Sequence, residues 1–278
     1  EDNYRIVDAS EFLYAVGNEL GSNRKPPCLL TFDDGTRDHV ETVAPILRRR
    51  SLSGVFFILT WPCERGLMPV TQALHWVLGQ PEEQVWATVT DFAEIELNGL
   101  HALGPVEDAM KTYHYETELR ARIKYAVNFA FPPGAAEDLI ARIADAQGTS
   151  LKELAQEWFL TELDIIQLDS FGMDIGMHGC SHHSLMQLGA TGLAEEIKYS
   201  SSYLQQLLGK KPSWFCGPFG SSGLDQDIAI IHQACQEVEV EAIVNASKGF
   251  VTAETNLYSI PRYDCKYLPP RSDDIVRN

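Results

Sequence analysis

Cys28-Leu29-Leu30-Thr31-Phe32-Asp33-Asp34-Gly35 is the stretch on which the fold turns. An apolar run of strand length ends in two adjacent carboxylates, and a helical pattern through Val40, Val43, Ile46 and Leu47 follows. Side chains alternate faces along a regular strand, but at a strand's end the alternation relaxes and both acids can line one site. Two carboxylates there suggest a division of labour, one binding a metal and the other working as a base. The helix closes in Arg48-Arg49-Arg50, which suits the negative end of a helix dipole.

Working outward, the run from Ser53 to Thr60 has the length and apolar character of a strand buried on both faces. Strand, helix, strand is the βαβ unit of a parallel sheet. The rhythm resumes at Met173-Asp174-Ile175-Gly176-Met177-His178, followed by a helix over 191–208, a strand over 213–216, a loop Gly217-Pro218-Phe219-Gly220, a helix over about 224–238 and a strand over 241–244. Between the halves, about 62–163, amphipathic helical patterns such as 73–78 and 151–160 dominate. This segment reads as a helical insertion within one domain spanning 1–278. Near the start, Phe12, Leu13, Val16 and Leu20 space a packing helix over 10–20 with Ser10 as its cap. The final stretch, rich in Pro and Arg, reads as loosely ordered.

At 278 residues and 45% hydrophobic, the chain can bury a substantial core and is of ordinary size for an α/β barrel. Its net charge of −17, from 39 acidic against 22 basic side chains, repels phosphate backbones and anionic headgroups. Nucleic acid and membrane surfaces are therefore excluded as expected partners. Six cysteines without a C-x-x-C pair read as buried free thiols. No apolar run approaches the roughly 20 residues of a membrane helix. The start, Glu1-Asp2-Asn3-Tyr4, lacks the basic and apolar regions of a signal peptide, so a cytoplasmic location is the expectation.

The second informative stretch is His178-Gly179-Cys180-Ser181-His182-His183. A His-x-x-x-His spacing lets two imidazoles converge on one ion, and one added carboxylate completes a set used by catalytic zinc. His178 and the Asp33-Asp34 pair both end strands of a βα pattern, and such ends share one face of a barrel.

Together these stretches resemble the polysaccharide deacetylase family, the NodB-homology domain of carbohydrate esterase family 4. Thr31 to Gly35 matches its T-F-D-D-G motif, and His178 to His182 matches H-[ST]-x-x-H with Gly179 where Ser or Thr is usual. Phe215-Cys216-Gly217-Pro218-Phe219-Gly220 aligns with F-R-P-P-Y-G. The resemblance covers about 27–60 and 165–265, and implies a distorted (β/α) barrel with the helical region inserted. It implies a divalent metal, most often zinc, on Asp34, His178 and His182, with Asp33 as general base. The metal and the backbone N–H of Phe219 would stabilise the oxyanion. The implied reaction is metal-dependent N-deacetylation of an amino sugar, in surface polysaccharide or glycan precursor metabolism, with an N-acetylated sugar or glycan as partner.

Two positions depart from the family's pattern. Cys216 stands where an arginine usually orients the base, and Arg262 in Ile260-Pro261-Arg262-Tyr263-Asp264, after a late strand, is the candidate replacement. The family's C-terminal L-x-H, source of its general acid, has no counterpart, because no histidine follows His232. His75, His101 or His114 of the insertion could supply the acid, or Asp33 could shuttle the proton itself. His183 reads as a neighbour of the metal set, and His232 as structural. Competing readings are hydrolysis of a non-sugar amide or cyclic imide, and a sugar-binding relative without turnover; an intact Asp33 argues against the latter.

Overall fold

Val55, Phe56, Phe57 and Ile58 are each at most 1% exposed, and consecutive residues of this strand serve two different cores. Phe56 and Ile58 pack with the apolar faces of the later helices, while Val55 and Phe57 pack with Phe12, Val16 and Trp214 on the opposite face. That is the alternation of a strand covered on both sides. The computed structural model describes residues 4–16, 18, 25–220 and 225–265. In it β1 (Arg5–Val7) and β2 (Pro27–Leu29) form a parallel pair. A second sheet runs β3 (Thr31–Phe32), β4 (Val55–Ile58), β5 (Asp174–Met177), β6 (Trp214–Cys216) and β7 (Ala242–Val244), all parallel and in chain order. This is a parallel half-barrel wrapped by helices, the expected (β/α) architecture.

Several local expectations are corrected. The first helix, α1, spans Ala9–Val16, and it is Asp8 rather than Ser10 that caps it, accepting from the Glu11 N–H at 2.8 Å and the Ser10 hydroxyl at 2.7 Å. A carboxylate two residues earlier wins because it satisfies both donors at once. Leu20 and Leu224, like the tail after Cys265, lie outside the described residues. The single strand expected before the Asp-Asp pair is split between the two sheets at Leu30, whose carbonyl accepts from Val55 N–H at 2.9 Å. Strand β1 carries too few residues for its period to be read from sequence. Helix α2 (Ala44–Arg49) is preceded by a π-turn, His39–Val43.

The insertion consists of α3–α9 (Thr60–Arg65, Val70–Val77, Glu82–Glu96, Val106–Thr112, Glu118–Tyr125, Pro133–Ala146 and Leu151–Trp158) between β4 and β5. It encloses its own apolar cluster around Leu74, Val77, Val89, Ile123 and Ile140. Helices α10 (Glu162–Ser170), α11 (Leu185–Leu208) and α12 (Asp225–Glu237) cover the sheet. Helix α11 starts earlier than its periodicity suggests because Ser184 and Gln187 form a capping box; Gly189, at φ +66°, then bends it. Among the described residues no helix is long and apolar enough to cross a membrane. The cysteines are all free, but only Cys180, Cys216 and Cys235 are buried; Cys265 is exposed, contrary to the expectation of uniformly buried thiols.

Gly176 marks the tightest point of the sheet. A Cβ there would lie 2.7 Å from Phe57 Cδ1 and 3.2 Å from Trp214 Cβ, both on buried side chains with no room to retreat. Gly176→Ala is expected to cost about 1–3 kcal/mol of stability, read as a lower urea midpoint at unchanged m-value.

Candidate active site

Asp33 leaves the end of β3, and the chain then turns through two left-handed residues, Asp34 at φ +78° and Gly35 at φ +74°. For a residue with a Cβ that conformation costs about 1–2 kcal/mol, so surrounding contacts must hold it. They come from the insertion's return: Leu160 N–H donates to Gly35 O at 3.0 Å, Thr36 bridges Phe159, and Arg37 donates to the Gln156 and Glu157 carbonyls at 2.5 and 2.9 Å. Arg37 thus caps α9 while fixing the loop that carries both carboxylates.

His178 prolongs β5, its N–H donating to Ile58 O at 3.0 Å. Its Nδ1–H donates to the Cys216 carbonyl at 2.5 Å, which leaves Nε2 facing Asp34 Oδ1 at 3.2 Å. His182, at φ +63°, brings its Nε2 to 3.4 Å from the same oxygen. The ligand atoms of Asp34, His178 and His182 all lie within 4.8 Å of one another, close enough to hold one metal ion. The chemistry of the set fits a divalent cation: the Cys216 carbonyl consumes the Nδ1 proton of His178, so its Nε2 can present a lone pair. Without an ion, a proton must take that place. Burial opposes the charge on Asp34, yet hydrogen bonds from His178 and His182 outweigh it and hold the carboxyl well below the usual carboxylate range. Burial likewise disfavours imidazolium at His178, but Asp34 and the Cys216 side chain raise its pKa well above the ordinary value.

The histidine loop is held by Glu196, a buried carboxylate on α11 that sequence reasoning missed. It accepts from Cys180 N–H at 2.8 Å, Ser181 N–H at 3.2 Å and the Ser181 hydroxyl at 2.5 Å. The available signal was its position three residues after Leu193 and beside Ile197, an acid on the apolar stripe of a helix. Glu196 also explains Gly179. The residue sits at φ +79°, and a Cβ would come within 3.0 Å of Glu196 Oε2, so Ser or Thr does not fit. His183 lies apart from the metal set, bonded through Nδ1 to Ser181 Oγ at 2.8 Å, with its pKa pushed down to about 4 by burial and by His182.

Arg262 reaches Asp33 from the far end of the chain. Its Nη1 donates to Oδ1 at 2.8 Å and its Nη2 to Oδ2 at 2.5 Å, a two-pronged clamp. Nη2 also meets Cys216 Sγ at 3.1 Å, and Nε donates to Asn245 O at 3.1 Å. Cys216, where the aligned motif has arginine, is small enough to admit this side chain. Burial disfavours the guanidinium charge, but Asp33 outweighs it and the Arg262 pKa stands above its usual value. The late strand expected before Arg262 is a single parallel bridge, Val244 to Ile260.

Phe219, at φ +54°, turns the loop after β6, and its ring lies 5.0 Å from that of His182. On its other side Phe129 approaches at 5.0 Å. Phe129 belongs to a π-turn, Ala126–Ala130, continuous with α7 and anchored by Ser184 Oγ donating to Asn128 O at 2.8 Å and Gln187 Nε2 to Val127 O at 3.0 Å. The insertion therefore walls the site, a contact that no spacing in the sequence announced.

Two lines of comparison accord with this geometry. The polysaccharide deacetylase family's sequence profile matches residues 152–236, which include both motif histidines. Over that segment the chain resembles the polysaccharide deacetylases. Among solved structures, the fold is shared with the deacetylase PplD of Streptococcus pyogenes at 15% identity and TM-score 0.51, over 94% of this chain and 74% of that one. It is shared with IcaB of Ammonifex degensii at 12% identity and TM-score 0.53, over 93% and 76%. The BpsB deacetylase domain of Bordetella bronchiseptica aligns at 14% identity and TM-score 0.51, over 94% and 79%. At such identities these likenesses establish the deacetylase fold. No curated protein matches the chain by sequence.

Proposed function

We propose that the chain is a metal-dependent hydrolase that removes the N-acetyl group from an amino sugar of a surface polysaccharide or a glycan precursor. The observation that carries this reading is the Arg262 clamp on Asp33 beside the convergent Asp34, His178 and His182. A carboxylate held so firmly next to a metal-binding set serves as a base; simple sugar binding has no use for it.

A divalent ion, zinc by the chemistry of two imidazoles and one carboxylate, would supply Lewis acidity for the acetamide carbonyl and for water activation. Asp33 accepts the proton of the attacking water. Arg262 fixes the plane of that carboxylate, so its accepting oxygen keeps one orientation through turnover. The Phe219 N–H donates to the carbonyl oxygen as negative charge builds there, where such a donor is worth most.

The test is acetate release from N-acetylated monosaccharides, nucleotide sugars and short oligosaccharides, with zinc or cobalt supplied. Release from at least one member is expected, and silence across the panel from a fully metallated protein would contradict the reading. Arg262→Met should lower kcat by about 10²-fold, at the lower end of what base catalysis contributes. Arg262→Lys keeps the charge without the fork and should recover part of that loss. Wild-type turnover in Arg262→Met would dismiss the clamp.

A further inference from the structure

A cleft of about 340 Å³ opens beside the histidine loop, and none of Asp33, Asp34, His178 or His182 lines it. One part of its wall is apolar and comes from Trp61, Met68 and Leu151. Trp61 opens α3, where its N–H donates to Cys180 O at 3.2 Å and so ties the cleft to the loop. Another part is a single stripe of α8, on which Gly134, Glu137, Asp138 and Ala141 follow one another at the spacing of one helix face. The opposite stripe, with Leu139, Ile140 and Ile143, is buried in the insertion's own core, so the helix cannot turn Glu137 away from the cleft.

Glu137 brings to this cleft a charge that its surroundings do not match. The group that faces it is His183, whose Nε2 lies 3.6 Å from Glu137 Oε1, beyond hydrogen-bonding distance. Ser181, which also lines the cleft, fixes the proton of that imidazole. The Ser181 hydroxyl donates to Glu196 Oε1 at 2.5 Å, so its oxygen accepts from His183 Nδ1–H at 2.8 Å. Nε2 is then a bare lone pair, and among the described residues it has no hydrogen-bond partner. The nearby guanidinium groups are engaged elsewhere: Arg142 pairs with Asp138 at 2.7 Å and Glu96 at 2.9 Å, and Arg65 with Glu64 at 3.4 Å. Glu137 thus faces an acceptor where a carboxylate would meet a cation. Burial raises its pKa, and no neighbouring positive charge offsets that effect.

We propose that this cleft is a binding site for a primary ammonium group carried on a compact apolar body, with Glu137 accepting the ammonium N–H and Trp61 and Met68 covering the body. A mainly apolar wall with a few placed polar groups is the usual make-up of a small-molecule site, and this volume lies at the small end of the roughly 300–1,000 Å³ such sites occupy. A single ring or a short chain fills it. The net charge of −17 draws cations towards the surface, and an indole beside the carboxylate favours them further. The site is separate from the metal set and does not depend on the deacetylase reading.

The experiment measures, by calorimetry on the full chain at neutral pH, the affinity for cyclohexylmethylamine and for its neutral counterpart cyclohexylmethanol. The amine is expected to bind about tenfold tighter or more, the worth of one hydrogen bond to a charged group. Glu137→Gln should remove that preference while leaving the alcohol's affinity within threefold. A Cβ at Gly134 would meet no heavy atom within 4 Å, so Gly134→Phe can fill the cleft without disturbing the fold and should weaken both probes at least about tenfold. Unfolding midpoints of both variants confirm that the chain stays folded. Glucosamine beside glucose distinguishes the source of the amine: a preference for glucosamine that depends on Glu137 and exceeds that of the alkyl amine assigns the site to amino sugars, and a smaller one to amines on apolar bodies. No binding of either amine, equal binding of amine and alcohol, or a preference that survives Glu137→Gln would overturn the proposal. None of the probes carries an N-acetyl group, so the outcome is independent of whether the protein releases acetate.

Discussion

Asp33→Asn is expected to abolish acetate release, lowering kcat by about 10³-fold or more, near the upper range for loss of a positioned base. The amide keeps the size of the carboxylate but cannot take a proton from water, and one of its two arms would now point a donor at the Arg262 fork. Metal binding should survive, because the proposed ligands are Asp34, His178 and His182, which do not include Asp33 or its Arg262 partner. Folding should survive as well, since Asp33 and Arg262 keep 31% and 23% of their side-chain surface in solvent, where a lost ion pair costs less than in a core. The measurement pairs acetate release with metal analysis of the same sample. Release above a tenth of wild type would remove Asp33 from the role of base.

The second large effect is on the metal. His178→Ala should weaken zinc affinity by more than about 100-fold, since removing only the hydrogen-bond support of a ligand already costs 10 to 100-fold. Here the ligand and its tie to the Cys216 carbonyl go together. The same geometry sets a pH dependence. Binding an ion requires Nε2 of His178 to shed its proton, and Asp34 raises the pKa of that imidazole well above the ordinary value against the opposing effect of burial. Zinc affinity should therefore keep rising through neutral pH, where an ordinary histidine would already be deprotonated. Competition titrations across pH 6 to 9 with a chromophoric chelator, spanning the range about the free imidazole value, would read this directly. A flat profile would mean that His178 is not a ligand.

What could be read from the residues, and what could not, follows from the range of each interaction. The Asp33-Asp34 turn and the His178 to His182 loop are local, each a few residues at a strand end, and their chemistry is written in adjacent letters. The strands of the half-barrel were legible for the same reason: β4 buries every residue and shows it as an unbroken apolar run. Arg262 was legible only as a candidate, because its partner lies at the other end of the chain and its path depends on the small Cys216 leaving room. Glu196, Phe129 and the Arg37 cap on α9 were not singled out, since each gains its role from a helix packed against the site rather than from a neighbour in sequence. The cap on α1 was misplaced by two residues because Asp8 and Ser10 are both acceptable and only the backbone decides between them.

The most direct measurement is acetate release from an N-acetylglucosamine oligomer as zinc is titrated into metal-stripped protein. Release that climbs with zinc, breaks at one equivalent per chain and disappears on chelation is the expected result. Release that is indifferent to zinc, or one tightly bound ion with no release from any N-acetylated sugar, would contradict the assignment of Asp34, His178 and His182 to a catalytic metal.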